Sequence, residues 1–257
     1  MDTRIVTGVI AGLAGLAVLV GLCGPVSAES LTVGAPPSLR PAFHDILPMF
    51  EQEYDAHVNV MYTPSRTLAR QVQKGAPIDV FLGAGIDEIE DLYKKKLTLN
   101  GKPRVYARTS LVLLMASDSP SRLLSFDEAF DNPKIRIALG DPQTSSLGDI
   151  TAKELVKLHP AYKSHGNIIY ATHSVDIVEL IRTRKADVGL VYRVDMINSG
   201  QVRISDEAPM GMPVRVDFGQ AVVSTCRPPL RPIAEKFSDF LMTSRIQRLL
   251  VKYGFQP

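Results

Sequence analysis

The chain has 257 residues, 45% of them hydrophobic and 22% charged, with 18 glycines and 18 prolines. This composition excludes collagen-like, low-complexity and wholly disordered chains, and the length suits one large domain or two lobes of about 100 residues each. Lys and Arg number 29 against 27 Asp and Glu, a net charge of +2. The densest basic run, Lys94-Lys95-Lys96, fits a solvated helix end, so nucleic acid is not an expected partner.

Residues 1–28 read as a secretory signal peptide. One basic residue, Arg4, precedes an apolar stretch from Val9 to Leu22, and small residues end at Val26-Ser27-Ala28. The stretch is shorter than the roughly 20 residues a spanning helix needs. Cleavage after Ala28 is expected, giving a periplasmic or secreted protein. Leu22 is larger than the small residue that precedes a lipoprotein cysteine, so anchoring through Cys23 is not expected. Cys23 leaves with the signal and Cys226 stands alone, so no internal disulfide is available and stability must come from core burial. Cys226, after Ala221 to Thr225, fits a half-buried thiol at a strand end.

The mature chain alternates short apolar runs with amphipathic segments. Leu31 to Val33 reads as a strand and Leu39 to Tyr54 as a helix containing Pro48. Val58 to Tyr62 is a strand, followed by a helix from Arg66 that Gly75 caps. Ile78 to Leu82 is a strand and Asp87 to Lys96 a helix. Ser110 to Ala116 has the character of a buried strand. Ile135 to Leu139, Asn167 to Tyr170 and Val188 to Tyr192 are strands separated by helices over Gly148 to Leu158 and Val175 to Lys185. Val214 to Phe218 and Gln220 to Ser224 are late strands, and Ile233 to Tyr253 is helical. The alternation predicts α/β architecture with parallel sheets flanked by helices, in two lobes.

Serines recur where strands lead into helices. Ala35-Pro36-Pro37-Ser38-Leu39 places Ser38 as an N-cap, and Thr63-Pro64-Ser65-Arg66 places Ser65 as another. Gly140-Asp141-Pro142 leads to Ser145-Ser146-Leu147-Gly148, and Ala171-Thr172-His173-Ser174-Val175 follows a further strand. The carboxyl ends of parallel strands are where open α/β sheets bind ligands, and helix N-termini there suit an anion. Each serine alone is explained by capping. Several such turns facing one another would instead form an oxyanion cage.

Other chemistries find no support. His44, His57, His159, His165 and His173 show no paired metal-ligand spacing, and there is no G-x-S-x-G elbow or P-loop. Gly83-Ala84-Gly85 lacks the third glycine of a dinucleotide fingerprint and reads as a turn. No acid–base or nucleophile set supports an enzyme.

Several segments carry a family resemblance. Leu31 to Leu39, Ser65-Arg66-Thr67-Leu68-Ala69-Arg70-Gln71-Val72 and Gly75-Ala76-Pro77-Ile78-Asp79-Val80-Phe81 resemble the periplasmic molybdate-binding proteins of ABC importers. Gly140-Asp141-Pro142, Ala152-Lys153-Glu154, Ala186 to Tyr192 and Lys252 to Phe255 continue the resemblance in the family's order. It implies a two-lobed periplasmic-binding-protein-like fold, each lobe a mostly parallel sheet flanked by helices, with the ligand cleft between lobes. The expected divisions are 29–108 with 220–257 for one lobe and 109–219 for the other. It also implies no cofactor, a carrier acting as a monomer, and a membrane permease as partner. Carried over by position, the ligand set is Ser38, Ser65, the Leu147 backbone, Ser174 or Val175, and Tyr192. These would hold molybdate or tungstate through its oxygens, with no side chain binding the metal directly. The chain departs from the family at Pro36-Pro37, Arg66, Leu147 and Arg193. Arg40 and Arg66 either face solvent or reach the cleft and favour a different anion. Sulfate, phosphate or an organic acid is therefore the alternative ligand, and an enzyme or sensor on this fold the remaining one.

Overall fold

A computed structural model describes residues 30–120, 122–197, 199–207 and 215–256. The expected signal peptide and Cys23 lie outside them. β1 (Leu31–Ala35) leads through a 3-10 turn (Pro37–Leu39) into α1 (Arg40–Tyr54). β2 (Val58–Tyr62), α2 (Ser65–Gln73), β3 (Val80–Leu82), α3 (Asp87–Lys94) and β4 (Arg104–Thr109) follow. The chain then builds β5 (Leu111–Ala116), α4 (Phe126–Asp131), β6 (Ile137–Gly140), α5 (Ser146–Leu158) and β7 (Ile168–Ala171). After these come α6 (Ser174–Arg182), β8 (Val188–Tyr192), α7 (Arg193–Ile197) and β9 (Val202–Glu207). It returns through β10 (Val216–Val222) and ends in α8 (Arg231–Leu241) and α9 (Ser244–Lys252).

Two five-stranded sheets result, ordered β2-β1-β3-β10-β4 and β7-β6-β8-β5-β9. Each defines one lobe, and each is mixed. β1 pairs parallel with β2 and β3, and β6 parallel with β7 and β8. β10 runs antiparallel to β3 and β4, and β5 antiparallel to β8 and β9. The parallel character expected from alternation therefore describes half of each sheet. The antiparallel half is added by the strand that follows each passage between lobes. Of the two late strands expected at Val214–Phe218 and Gln220–Ser224, Val214 lies outside the described residues, and the rest forms one strand, Val216–Val222. Its register against β4 shifts between Phe218 and Gly219, a bulge that lets the ladder continue past the glycine. The division expected between 219 and 220 consequently falls inside β10.

Local chemistry accounts for the helix ends. α1 continues through Pro48, forgoing one backbone hydrogen bond. Gly75 takes a φ of 82° just beyond α2, and the Ala76 N–H closes on the Gln71 carbonyl at 2.9 Å. That left-handed turn is the expected glycine cap. The single helix expected over Ile233–Tyr253 is divided, because Thr243 adopts extended backbone before α9.

One core cluster reaches both sheets, and a second, smaller one joins α2 and α3 to β3 and β10. Every residue of β5 is buried. Phe50 of α1 meets Phe237 and Phe240 of α8 at ring-centroid distances of 4.9 and 5.3 Å, clasping the first sheet from the far end of the chain. Cys226 is 6% exposed, and burial with the nearby Asp79 carboxylate pushes its thiol up to about 12, so it packs as an inert apolar group.

Candidate functional site

The turns after six parallel strands converge on one small cavity of about 20 Å³. Ser38 follows β1, Ser65 follows β2, Ala84 follows β3, Ser146 and Leu147 follow β6, Ser174 follows β7, and Tyr192 ends β8. The structure thus brings together five of the six sequence-derived residues: Ser38, Ser65, Leu147, Ser174 and Tyr192. Val175, one residue into α6, is not among the lining residues.

Neither Ser38 nor Ser65 is an N-cap, which corrects the expectation from sequence. Pro36 (φ −71°, ψ 147°) and Pro64 (φ −57°, ψ 140°) occupy the N-cap positions of the 3-10 turn and of α2, and neither turn has a side-chain capping bond. The prolines pre-set the extended entry to each turn, and the serines fall one or two residues later, inside it. Their hydroxyls serve other partners. Ser65 Oγ accepts from the Ala84 N–H at 2.8 Å, which leaves its own proton free to donate. Ser38 Oγ lies 3.3 Å from Ser174 Oγ across the lobe boundary. True capping is done by Ser145, whose Oγ accepts from the Gly148 N–H at 3.4 Å.

The second-lobe wall depends on close backbone approach. A Cβ on Gly148 would sit 2.4 Å from the Asp141 carbonyl carbon and 2.5 Å from the Gly140 oxygen. Glycine there lets the first turn of α5 lie directly on the end of β6, presenting Ser146 and Leu147 to the cavity. Asp141 holds the preceding turn, accepting from the Gln143 N–H at 2.8 Å and the Thr144 hydroxyl at 3.2 Å.

Contacts across the cleft fall into two zones. At the cavity, Tyr192 donates its hydroxyl proton to the Ala84 carbonyl at 2.6 Å. Burial, then the Glu88 and Asp195 carboxyls, hold the Tyr192 hydroxyl well above its usual range, so it stays a donor. No Lys, Arg, Asp or Glu is among the residues lining this cavity. Outside it, a larger groove of about 530 Å³ is rich in charge. There Arg66 pairs with Asp149 at 2.7 Å, Lys153 with Asp149 at 2.7 Å and with Asp87 at 3.5 Å, and Arg70 donates to the Gln143 carbonyl. Glu88 sits between the zones. Burial raises its carboxyl above the usual range, and the facing Ser146 hydroxyl and Arg66 partly offset this. Arg40 lies away from the cavity lining, its guanidinium 4.2 Å above the Tyr62 ring.

Sequence reasoning missed Ala84, Ser146 and Asp195. Ala84 acts through its backbone, giving its N–H to Ser65 and its carbonyl to Tyr192; its place just after a strand was the available signal. Asp195, in α7, is 4% exposed and stands behind Ser38 and Ser174. Among the described residues, no group of three or more His, Cys, Asp and Glu comes together as a metal-ion site. No helix among them is long and apolar enough to cross a membrane.

Such a cavity, with hydroxyls and helix N-termini from two lobes turned on one point, can strip water from a small anion and offer it donors without a fixed countercharge. Two α/β lobes closing on a site of that kind define a carrier of small solutes. The bacterial extracellular solute-binding protein family matches residues 31–256, and the chain belongs to it. It is 25% identical over 228 residues to the putative ABC transporter substrate-binding lipoprotein YvgL of Bacillus subtilis strain 168, covering 88% of this chain and 86% of that one. To the molybdate-binding protein ModA of Escherichia coli K12 it is 26% identical over 249 residues, covering 94% and 95%. Its fold is similar to that of the Azotobacter vinelandii periplasmic molybdate-binding protein, with a TM-score of 0.75, 19% identity and coverage of 89% and 99%. It is equally similar to the sulfate-binding protein SubI of Mycobacterium tuberculosis H37Rv, at 0.74, 19%, 89% and 86%. The protein is an extracytoplasmic solute-binding protein, not an enzyme, and its partners are a small ligand and the membrane permease of an ABC transporter.

Proposed function

We propose that the protein captures a tetrahedral oxyanion, molybdate or tungstate, and delivers it as a monomer to its permease. One observation carries this reading: the cavity is lined by neutral hydroxyls and by the first turns of helices from both lobes, with no charged side chain among its lining residues. Neutral donors at helix N-termini stabilise a desolvated dianion without the salt sensitivity of a lysine or arginine site. A cavity of about 20 Å³ is room for about one water, so the Ser38–Ser174 pair must part to admit even a compact ion, and an extended organic acid has no room. The molybdate-binding relatives support the same ligand class.

In this reading Ser65 donates the proton that its bond from Ala84 leaves free. Ser38 and Ser174 part from one another to give one hydroxyl donor each. The backbone N–H of Leu147, unpaired within the first turn of α5, completes the second-lobe side. Tyr192 holds the lobes shut through Ala84 and stands at the ligand's edge. No cofactor takes part.

The second reading keeps the site and changes the ion to sulfate, favoured by the equal likeness of fold to a sulfate-binding protein. Thermal melts and calorimetric titration of the protein against molybdate, tungstate, sulfate and phosphate decide between them. Molybdate and tungstate are expected to raise the melting temperature by binding the folded state. Stabilisation by sulfate with none by molybdate would replace the first reading with the second.

A further inference from the structure

Behind the Ser38–Ser174 pair lies a carboxyl group for which an anion cage has no simple use. Asp195 is the third residue of α7, which starts where β8 ends at Tyr192. It is 4% exposed, and neither carboxylate oxygen has a partner at hydrogen-bonding geometry. The hydroxyls of Ser174 and Ser38 nevertheless face it closely enough to favour its charged form.

No cation is among the groups that act on it. From the turn after β1 comes Ser38, and from α6 comes Ser174. From β8 comes Tyr192, whose proton is already given to Ala84. β5 is Leu-Val-Leu-Leu-Met-Ala throughout, with nothing that titrates. Burial therefore dominates and pushes the Asp195 carboxyl up to about 6, the two hydroxyls offsetting it only in part.

Proton counting then constrains the site. Each serine hydroxyl has one proton to give. If Asp195 is ionised, it competes with an incoming oxyanion for both protons, and two like charges share one dry site. If Asp195 is a neutral acid, it donates to one serine oxygen, and both serine protons are released toward the ligand. We propose that Asp195 is a positioning residue for the oxyanion, taking one proton from solvent as a fully deprotonated tetrahedral dianion binds and turning the Ser38 and Ser174 hydroxyls into donors to it. The carboxylate gains the proton, the anion keeps its two charges, and no other bond is made or broken.

This inference rests on the oxyanion reading of the cavity, and the experiment separates the two. Sodium molybdate is titrated calorimetrically into the protein between pH 7 and 8.5, in two buffers of low and high ionisation enthalpy, with sodium sulfate as a second probe. The expected result is uptake of close to one proton per ion bound, with affinity falling about tenfold per pH unit. Asp195→Asn, whose amide can still donate to a serine oxygen, should bind without proton uptake and with a flat pH profile. Binding by the wild type with no buffer dependence overturns the proton coupling and leaves the oxyanion reading standing. A pH slope that survives in Asp195→Asn does the same. Failure of both ions to bind at any pH overturns both. Should Asp195→Asn fail to fold, the two-buffer measurement on the wild type decides alone.

Discussion

The floor and the rim of the cleft solve opposite problems with opposite chemistry. On the floor, Ser38, Ser65, Ser174 and Tyr192 are all less than a tenth exposed and uncharged, and their partners are hydroxyls and backbone. On the rim, Arg66, Asp149, Lys153 and Asp87 are partly or largely solvated and paired with one another. In a dry site one hydrogen bond to a charge carries more free energy than a whole solvated ion pair. The floor should therefore govern affinity, while the rim adjusts how the lobes meet.

The largest expected effect is on the floor. Ser65→Ala should weaken oxyanion binding about 10- to 150-fold, the loss of one charge-assisted hydrogen bond. It should also lower the stability of the protein by about 1–3 kcal/mol without ligand, since the Ala84 N–H loses its buried acceptor. Ser38→Ala should weaken binding to a similar degree but cost less stability, because its hydroxyl serves no backbone N–H and faces only the Ser174 hydroxyl and the Asp195 carboxyl. Calorimetry with parallel melts reads both quantities. An unchanged dissociation constant in both variants would place the binding site elsewhere.

A smaller effect concerns Asp195. A carboxyl raised from 3.8 to about 6 in the folded protein binds a proton there more tightly than in the unfolded chain. Its contribution is least unfavourable below about pH 4, and stability declines as pH rises through about 6. Asp195→Asn should thus stabilise the protein by about 2–3 kcal/mol at pH 7 and leave it nearly unchanged at pH 4. Urea unfolding at the two pH values measures this, and an equal effect at both would mean that charge is not the cause.

The smallest effect is expected at the rim. Arg66→Gln removes the cross-lobe pair with Asp149, whose side chains are 30% and 23% exposed. Such pairs contribute about 0–1 kcal/mol, so affinity should change less than about fivefold, and the difference should vanish at high salt. A loss as large as that of Ser65→Ala would make Arg66 a ligand residue and erase the contrast between rim and floor.

How far the sequence disclosed this depends on where the information resides. Strands buried on both faces, such as Val188 to Tyr192 and Leu111 to Ala116, announce themselves as apolar runs. The junction serines were legible for the same reason, since they follow such runs. β4 and β9 were not, because Arg104, Arg108, Arg203, Asp206 and Glu207 break the apolar pattern and the ladder partners β10 and β5 are distant in sequence. The capping role given to Ser38 and Ser65 failed because the preceding prolines take the cap position, a backbone effect that residue preference alone does not weigh. Ala84 contributes only its peptide groups, which every residue possesses. Asp195 looked like any acid in a first helical turn until its burial was known.

The two sheets also differ in when they can be completed. The second is assembled from one uninterrupted stretch, β5 to β9, and can close as soon as Glu207 has been made. The first cannot, because β4 finds its strand partner in β10, with one further bridge from Arg108 to Gln256, and β3 also awaits β10. Until Val216–Val222 emerges, two strand edges near the start of the chain stand open, the condition that invites wrong pairing with other chains. Emergence in order from the amino end therefore yields maturation in the reverse order. The lobe that begins first finishes last, and residues 216–256 act on residues 31–109 as an internal chaperone would, by covering edges already made.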